Sequence, residues 1–183
     1  SWKPGPVGAA DAFAERCPAG ERSYSFSLSS DSTRLMLTSA GGDAPPLSVT
    51  LAKADTEVIA AACDERALVA VLRVDGDKEV ALELCAFRGR CSPIPLPRFA
   101  GVGVAPREPL DIARSQGVTM IATATGGIVR VSSTRDDGQT WTPFTVAYDD
   151  AECADLRVDV RVPTRLLVIG KRTLLFGGAA KPD

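Results

Sequence analysis

The stretch Thr134-Arg135-Asp136-Asp137-Gly138-Gln139-Thr140-Trp141 indicates the fold of this chain most directly. Four runs of strand-forming residues surround it, at 110–115, 118–125, 128–133 and 142–148. Gly117 and the pair Gly126-Gly127 stand between these runs, where tight turns need residues that tolerate unusual backbone angles. The region therefore predicts four short antiparallel strands, with the quoted stretch as the turn between the third and the fourth.

The same four-strand order recurs along the chain, in units at about 13–52, 58–97, 110–149 and 154–178. The units begin roughly 40 to 50 residues apart, a period typical of repeat architectures built from four-stranded sheets. The last unit lacks a fourth strand, but residues 1–7 resemble the end of the quoted stretch and the strand after it. We therefore expect the N-terminal strand to complete the last unit.

The quoted stretch resembles the Asp-box, (S/T)xDxGx(S/T)(W/F), of sialidase-like β-propellers and other BNR-repeat proteins. The resemblance implies an all-β, single-domain β-propeller over residues 1–183, with four-stranded antiparallel blades. It also implies structural roles for the residues that match the pattern. Asp136 and the hydroxyls of Thr134 and Thr140 would belong to the ordered turn, Gly138 would take a backbone angle that other residues resist, and Trp141 would pack under the blade.

Three architectures remain open at this point. The chain can form a complete four-bladed ring that the N-terminal strand closes, or it can be part of a six- to eight-bladed propeller. In the second case the chain is a processed piece whose remainder has been removed, or another chain supplies the remainder. The pairing of the two chain ends within one blade favours closure. An ordinary β-sandwich of many short strands also fits the spacing of the strand-forming runs.

The cysteines favour an extracytoplasmic protein. Cys85 and Cys91 flank a Gly-containing loop between two strand-like runs, where a hairpin disulfide would fit and would take the place of the Asp-box; two free thiols are the alternative. A disulfide between Cys17 and Cys63 is possible, and with Cys153 these form an odd set. Because no apolar leader precedes Ser1, we expect any signal peptide to have been removed or never to have been part of this sequence.

Composition argues against several classes of partner and site. The chain has 21 Lys and Arg against 23 Asp and Glu, so it lacks the basic excess of a nucleic-acid-binding protein. Its apolar runs are shorter than the roughly 18 to 20 residues of a membrane span. It contains no histidine, the commonest general base and metal ligand, and no paired-cysteine motif for zinc. We predict no cofactor.

The residues that a sialidase uses are also incomplete. The family clamps a carboxylate with three arginines, uses a tyrosine nucleophile with a glutamate partner, and carries an (F/Y)RIP motif. This chain has no RIP sequence, and neither of its tyrosines, Tyr24 and Tyr148, has an obvious glutamate partner. No serine-hydrolase elbow or P-loop is present either. We predict a non-catalytic binding or assembly module, with a glycan-binding domain or glycoside hydrolase as the alternative.

Candidate ligand-binding residues lie in loops. Arg98, Phe99 and Arg107 belong to the longest connector, and aromatic and arginine side chains dominate binding hot spots. A protein or glycan is the expected partner. Carboxylates in two other loops are a weaker candidate for calcium binding. These are Asp75, Asp77, Asp149 and Asp150.

Overall fold

The fold is all-β throughout the part of the chain that the computed structural model describes. The described residues are 3–5, 17–19, 22–28, 33–39, 47–51, 57–64, 68–75, 79–86, 89–98, 109–148, 153–159, 164–170 and 173–178. In chain order the strands are β1 (Lys3–Gly5), β2 (Cys17–Ala19), β3 (Arg22–Leu28), β4 (Arg34–Ser39), β5 (Leu47–Thr50), β6 (Glu57–Cys63), β7 (Leu68–Asp75), β8 (Glu79–Ala86), β9 (Cys91–Ile94), β10 (Leu110–Ser115), β11 (Val118–Thr125), β12 (Ile128–Thr134), β13 (Thr142–Ala147), β14 (Cys153–Asp159), β15 (Thr164–Gly170) and β16 (Thr173–Gly178). Within these ranges, no helix has the length and apolar character needed to cross a membrane.

These strands form four antiparallel sheets of four strands each. The first sheet has the order β2-β3-β4-β5, the second β6-β7-β8-β9 and the third β10-β11-β12-β13. The fourth has the order β1-β16-β15-β14, so the N-terminal strand pairs with the last strand of the chain. This is the pairing that the sequence predicts.

The predicted strands agree best with the structure where Gly and Asp turn residues separate them. The strands predicted at 110–115 and 118–125 have the bounds of β10 and β11, and those predicted at 128–133 and 142–148 each differ by one residue at the end from β12 and β13. Larger differences occur in the first and second sheets. In the first sheet, the run at 13–17 predicts a strand that ends at Cys17, but β2 continues to Ala19, which pairs with Arg22 of β3. The strand predicted at 92–97 ends at Ile94, since Pro95 and Pro97 have no N–H to donate to a neighbouring strand.

The first strands of successive sheets lie against one another. β2 contacts β6, β6 contacts β10, and β10 contacts β14. The sheets therefore follow one another in space in the order of the chain, each meeting the next along its first strand.

The third sheet is covered on both faces. Alternate side chains of β11, including Met120, Ala122 and Ala124, pack with Leu156 and Leu166 of the fourth sheet. Ile121 points to the other face, and its cluster combines second-sheet and third-sheet side chains. These include Val80, Leu82, Ile94, Leu96, Ile112 and Trp141. A strand buried on both sides accounts for the near-continuous burial along β11.

Replacing Ile121 by Ala is expected to destabilise the protein strongly. The Ile121 side chain is 0 % exposed between the second and third sheets, so its truncation removes apolar contacts and leaves a cavity. We expect the free energy of unfolding to fall by about 2 to 5 kcal/mol. Urea denaturation measures this change. The exposed Gln139→Ala variant is the control and should stay within about 0.5 kcal/mol of the parent protein; equal effects would contradict the packing.

Candidate functional site

The predicted ligand-binding residues lie mainly beyond the described ranges. Arg98 is exposed at the end of the segment that follows β9, while Phe99 and Arg107 lie outside the described residues. The backbone of Asp75 ends β7. The other three calcium candidates, Asp77, Asp149 and Asp150, are also outside the described residues. The residues that the structure does bring together belong to two hairpin loops, the 134–141 loop and the loop between β8 and β9, and to the interfaces between sheets.

The 134–141 loop joins β12 to β13 and is organised around one carboxylate. Asp136 Oδ1 accepts a hydrogen bond from the Thr140 N–H (2.9 Å) and one from the Thr134 hydroxyl (2.7 Å). Asp136 Oδ2 accepts one from the Thr140 hydroxyl (2.6 Å). Thr134 Oγ1 in turn accepts from the Gly138 N–H at 2.9 Å. The side chains therefore satisfy backbone donors of a turn that has no strand partner.

Hydrogen bonding also sets the acidity of this carboxyl group. The hydroxyl of Thr140 contributes most, followed by the Thr140 N–H and the Thr134 hydroxyl, and together they lower the pKa of Asp136 from 3.8 to about 2. All three donors stabilise the ionised form. The loop is therefore held by a charged acceptor at any pH well above the ordinary pKa of an aspartate.

The same loop docks on the second sheet. The Trp141 indole Nε1–H donates to the Pro95 carbonyl at 3.0 Å. Gly138 has a φ of +87°, and a Cβ at this position would lie 3.0 Å from the Pro95 oxygen and 3.3 Å from Ile94 Cβ. A side chain is therefore disfavoured twice, by the backbone angle and by the close approach of the neighbouring sheet.

The β8–β9 loop occupies the corresponding place in the second sheet and is closed covalently. Cys85 and Cys91 pair directly across β8 and β9 and form a disulfide, which confirms the predicted bond. The Gly89 carbonyl accepts a hydrogen bond from the Thr50 N–H (3.1 Å), and Thr50 also forms a parallel bridge with Arg90. Each of these two hairpin loops thus contacts the end of the preceding sheet. Hydrogen bonds to Asp136 order the first loop, and a disulfide closes the second.

Cys63 is disulfide-bonded as well. The side chains of Cys17 and Cys153 lie outside the described ones, so the predicted link between Cys17 and Cys63 stays a prediction.

A buried ion pair connects the second and third sheets. Arg114 of β10 is 5 % exposed, and its Nε donates to Oδ2 of Asp64, which follows β6 and is 0 % exposed, at 2.9 Å. Its Nη1 donates to the Thr119 hydroxyl at 2.5 Å. Both terminal nitrogens lie 3.5 Å from Oδ1 of Asp137, a residue of the 134–141 loop at a φ of +53°. The Arg114 guanidinium therefore connects the end of β6, two strands of the third sheet and the 134–141 loop.

A second buried carboxylate connects the third and fourth sheets. Asp111 Oδ2 accepts a hydrogen bond from the Val158 N–H at 2.6 Å. Asp111 lies on β10 and is 8 % exposed, and Val158 lies on β14. Since β10 and β14 are edge strands of their sheets, this contact satisfies a backbone donor that the fourth sheet itself leaves without a strand partner.

Sequence reasoning missed these inter-sheet residues. In strand β10, Asp111 and Arg114 stand among apolar residues. In strand β8, Glu83 stands between Leu82 and Leu84. A charged residue in a strand that is buried on both faces must be paired, so this pattern is the signal that predicts burial with a partner. The identity of the partner depends on how the sheets meet, and Asp64 lies 50 positions from Arg114.

No protein-family model and no curated protein matches this chain. The residues and contacts described above therefore carry the functional argument.

Removing Asp64 should destabilise the protein far more than removing Asp137. Asp64→Ala leaves the Arg114 guanidinium buried without its closest carboxylate, and the expected loss in the free energy of unfolding is about 3 to 5 kcal/mol. Asp137→Ala is the matched control, because its side chain is 52 % exposed and should cost no more than about 1 kcal/mol. Urea unfolding of both variants measures the difference, and equal losses would show that burial does not govern this network.

Acid should weaken the 134–141 loop through Asp136. Its pKa is depressed in the folded protein, so its stabilising contribution is fully present above the unfolded value of 3.8 and is lost as the pH falls through about 2. Urea unfolding of the parent protein between about pH 5 and 2 should therefore show a loss that is smaller in Asp136→Asn.

Thr140→Ala is the second variant for this test. It removes the hydroxyl that contributes most to the depressed pKa, so the acid-induced loss of stability should still begin near the unfolded value of 3.8 but should be smaller and end at a higher pH than in the parent protein. Unchanged pH dependence in both variants would rule out Asp136 as the titrating group.

Proposed function

We propose that this chain is an Asp-box β-propeller that acts as a non-catalytic, extracytoplasmic binding or assembly module. The observation that carries the proposal is the succession of four four-stranded antiparallel sheets whose first strands lie against one another in chain order. Blades of a propeller stack in this way around an axis, because a single four-stranded sheet cannot bury both of its faces.

The pairing of β1 with β16 supports a ring closed within the chain. Residues near the two ends complete one sheet together, so the fourth blade closes only when both ends are in place. Such pairing also protects the strand edge that β16 would otherwise leave exposed. In the alternative architecture this chain is a processed piece of a larger propeller, or another chain supplies the remaining blades.

The 134–141 loop supports the Asp-box assignment. Its threonine hydroxyls, its aspartate and its positive-φ glycine lie at the positions of the pattern, and they bond to one another within the hairpin between the third and fourth strands of a sheet. Its polar side chains form hydrogen bonds within the loop. Its tryptophan contacts the preceding sheet. These are structural tasks, so the loop supports the fold and leaves the function to other surfaces.

Disulfide chemistry supports an extracytoplasmic location. Cys85 and Cys91 are bonded to each other, and Cys63 is bonded too. Disulfides persist in secreted, periplasmic and cell-surface proteins and are rare where glutathione and thioredoxin keep thiols reduced.

The buried charges support a role other than catalysis. The sialidase mechanism needs arginines free to clamp the carboxylate of a substrate. Arg114 is instead bound to Asp64, Thr119 and Asp137 within the protein. Asp111 likewise bonds to a backbone N–H of the next sheet. Both side chains therefore form contacts within the protein that connect neighbouring sheets.

Binding is proposed at the loops that leave the ends of the sheets, as in other proteins that carry function on loops above a rigid scaffold. Arg98 is exposed at the start of the longest connector and is the first candidate contact with a protein or glycan partner. Phe99 and Arg107 from the same connector remain proposed contacts.

A turnover assay tests the non-catalytic proposal against the hydrolase alternative. Purified protein with intact disulfides is incubated with fluorogenic sialosides and with a panel of other fluorogenic glycosides. We expect release of the fluorophore at the rate of the buffer control. Turnover that scales with protein concentration would overturn the proposal.

Immobilised glycans distinguish the kind of partner. Retention of the parent protein together with loss of retention in Arg98→Ala would identify a glycan-binding module. The exposed Arg135→Ala variant is the charge-matched control, because Arg135 lies in the structural 134–141 loop.

A further inference from the structure

Three potential metal ligands meet on one face of the second sheet. Leu82 and Leu84 of β8 pack toward the third sheet, so the alternating residues Glu83 and Cys85 face the opposite way. Cys91 of β9 pairs directly with Cys85. Glu83 and Cys85 are each 0 % exposed, and Cys91 is 7 % exposed.

The donor atoms of these residues are close enough to share one ion. The two sulfurs and a carboxylate oxygen of Glu83 all lie within 4.8 Å of one another. In the disulfide form the sulfurs are bonded to each other, and neither is a thiolate that could hold a metal. Reduction converts the two sulfurs to thiols without requiring the strands to separate, because Leu82, Glu83 and Leu84 also pair β8 with β9.

We propose that reduction of the Cys85–Cys91 disulfide by a dithiol creates a binding site for a thiophilic divalent cation of the Zn²⁺ class, with Glu83, Cys85 and Cys91 as ligands. The dithiol supplies two electrons and two protons, which yield two thiols, and it leaves as its own disulfide. Binding of Zn²⁺ then releases the two thiol protons and forms two Zn–S bonds and one Zn–O bond. Water takes the fourth position of the tetrahedron.

The coordination geometry suits two residues that face each other across neighbouring strands. Zn–S bonds of about 2.3 Å at a tetrahedral angle place the two sulfurs about 3.8 Å apart. The Cα atoms of Cys85 and Cys91 are 4.0 Å apart, so both sulfurs can reach one ion by rotating about their Cα–Cβ bonds. Glu83 lies two residues before Cys85 and therefore on the same face of the strand.

The charge balance also favours exchange of protons for the metal. Zn²⁺ brings two positive charges, and the two protons that leave the thiols take two positive charges away. Binding therefore adds no net charge to a site that is almost completely buried. An unbalanced charge at this place would carry a large desolvation cost.

The site would hold the same loop that the disulfide holds. The loop between β8 and β9 presents the Gly89 carbonyl to the Thr50 N–H of the first sheet. A metal bridge between the two sulfurs keeps both ends of this loop tied, so docking on the first sheet is retained after reduction. This inference rests on the register of β8 and β9 and is independent of the proposed function.

Co²⁺ binding tests the proposal. The protein is reduced with dithiothreitol, desalted anaerobically and titrated with Co²⁺, whose thiolate charge-transfer absorption reports Co–S bonds. We expect one equivalent to bind to the reduced protein with this absorption, none to the oxidised protein, and displacement by Zn²⁺. Reduced, folded protein without thiolate absorption would overturn the proposal.

Variants assign the ligands. Cys91→Ser should abolish the charge-transfer absorption. Glu83→Gln should retain both thiols yet weaken Co²⁺ binding by at least about tenfold, since even residues outside the ligand set change metal affinity by this much. Cys63→Ser is the control for the other thiols that reduction releases, and its absorption should match that of the parent protein. Absorption that survives Cys91→Ser or disappears in Cys63→Ser would overturn the assignment.

Circular dichroism covers the case in which reduction unfolds the protein. Zn²⁺ added to the reduced, unfolded chain should then restore the β signal in the parent protein and not in Cys91→Ser, because metal binding energy becomes folding energy when the site forms only in the folded state. Failure of Zn²⁺ to restore the signal would count against the site.

Discussion

The structure depends on the need of each four-stranded sheet to cover two apolar faces. The third sheet meets this need fully, with Ile121 packed toward the second sheet and Met120, Ala122 and Ala124 packed toward the fourth. A sheet covered on one face alone would expose half of its apolar side chains, and their burial is the main favourable term in folding. The third sheet therefore depends on both neighbouring sheets for its stability.

Apolar packing holds the sheets together without fixing how they are oriented, because it is nondirectional. Direction comes from a few polar contacts at the interfaces. Arg114 of the third sheet binds Asp64. Trp141 connects the 134–141 loop to the second sheet, and Gly89 connects the loop between β8 and β9 to the first sheet. The two hairpin loops reach the same result by different chemistry, since one is ordered by the carboxylate of Asp136 and the other by a covalent bond between strands. A loop that is already ordered loses less entropy when it docks.

The sequence allows prediction of the elements that depend on neighbours along the chain. Turn residues such as Gly117 and Gly126 separate strands whose boundaries then follow from local pattern, and the Cys85–Cys91 bond follows from a short hairpin. Boundaries fail where prolines end a strand that still looks apolar, as after Ile94. The inter-sheet contacts could not be predicted in the same way, because Asp64 and Arg114 meet only after two sheets have formed and packed. The convergence of Glu83 with the two cysteines was hidden for a similar reason: it depends on strand register, and its spacing matches no familiar metal motif.

The hydrogen bond from the Val158 N–H to Asp111 has a topological consequence. β10 and β14 are adjacent edge strands of different sheets, and two such edges could in principle zip together through their backbones. A carboxylate occupies one of the donors that this zipping would use. Asp111 therefore engages a donor that backbone pairing between β10 and β14 would need, and the two strands lie at the edges of separate sheets.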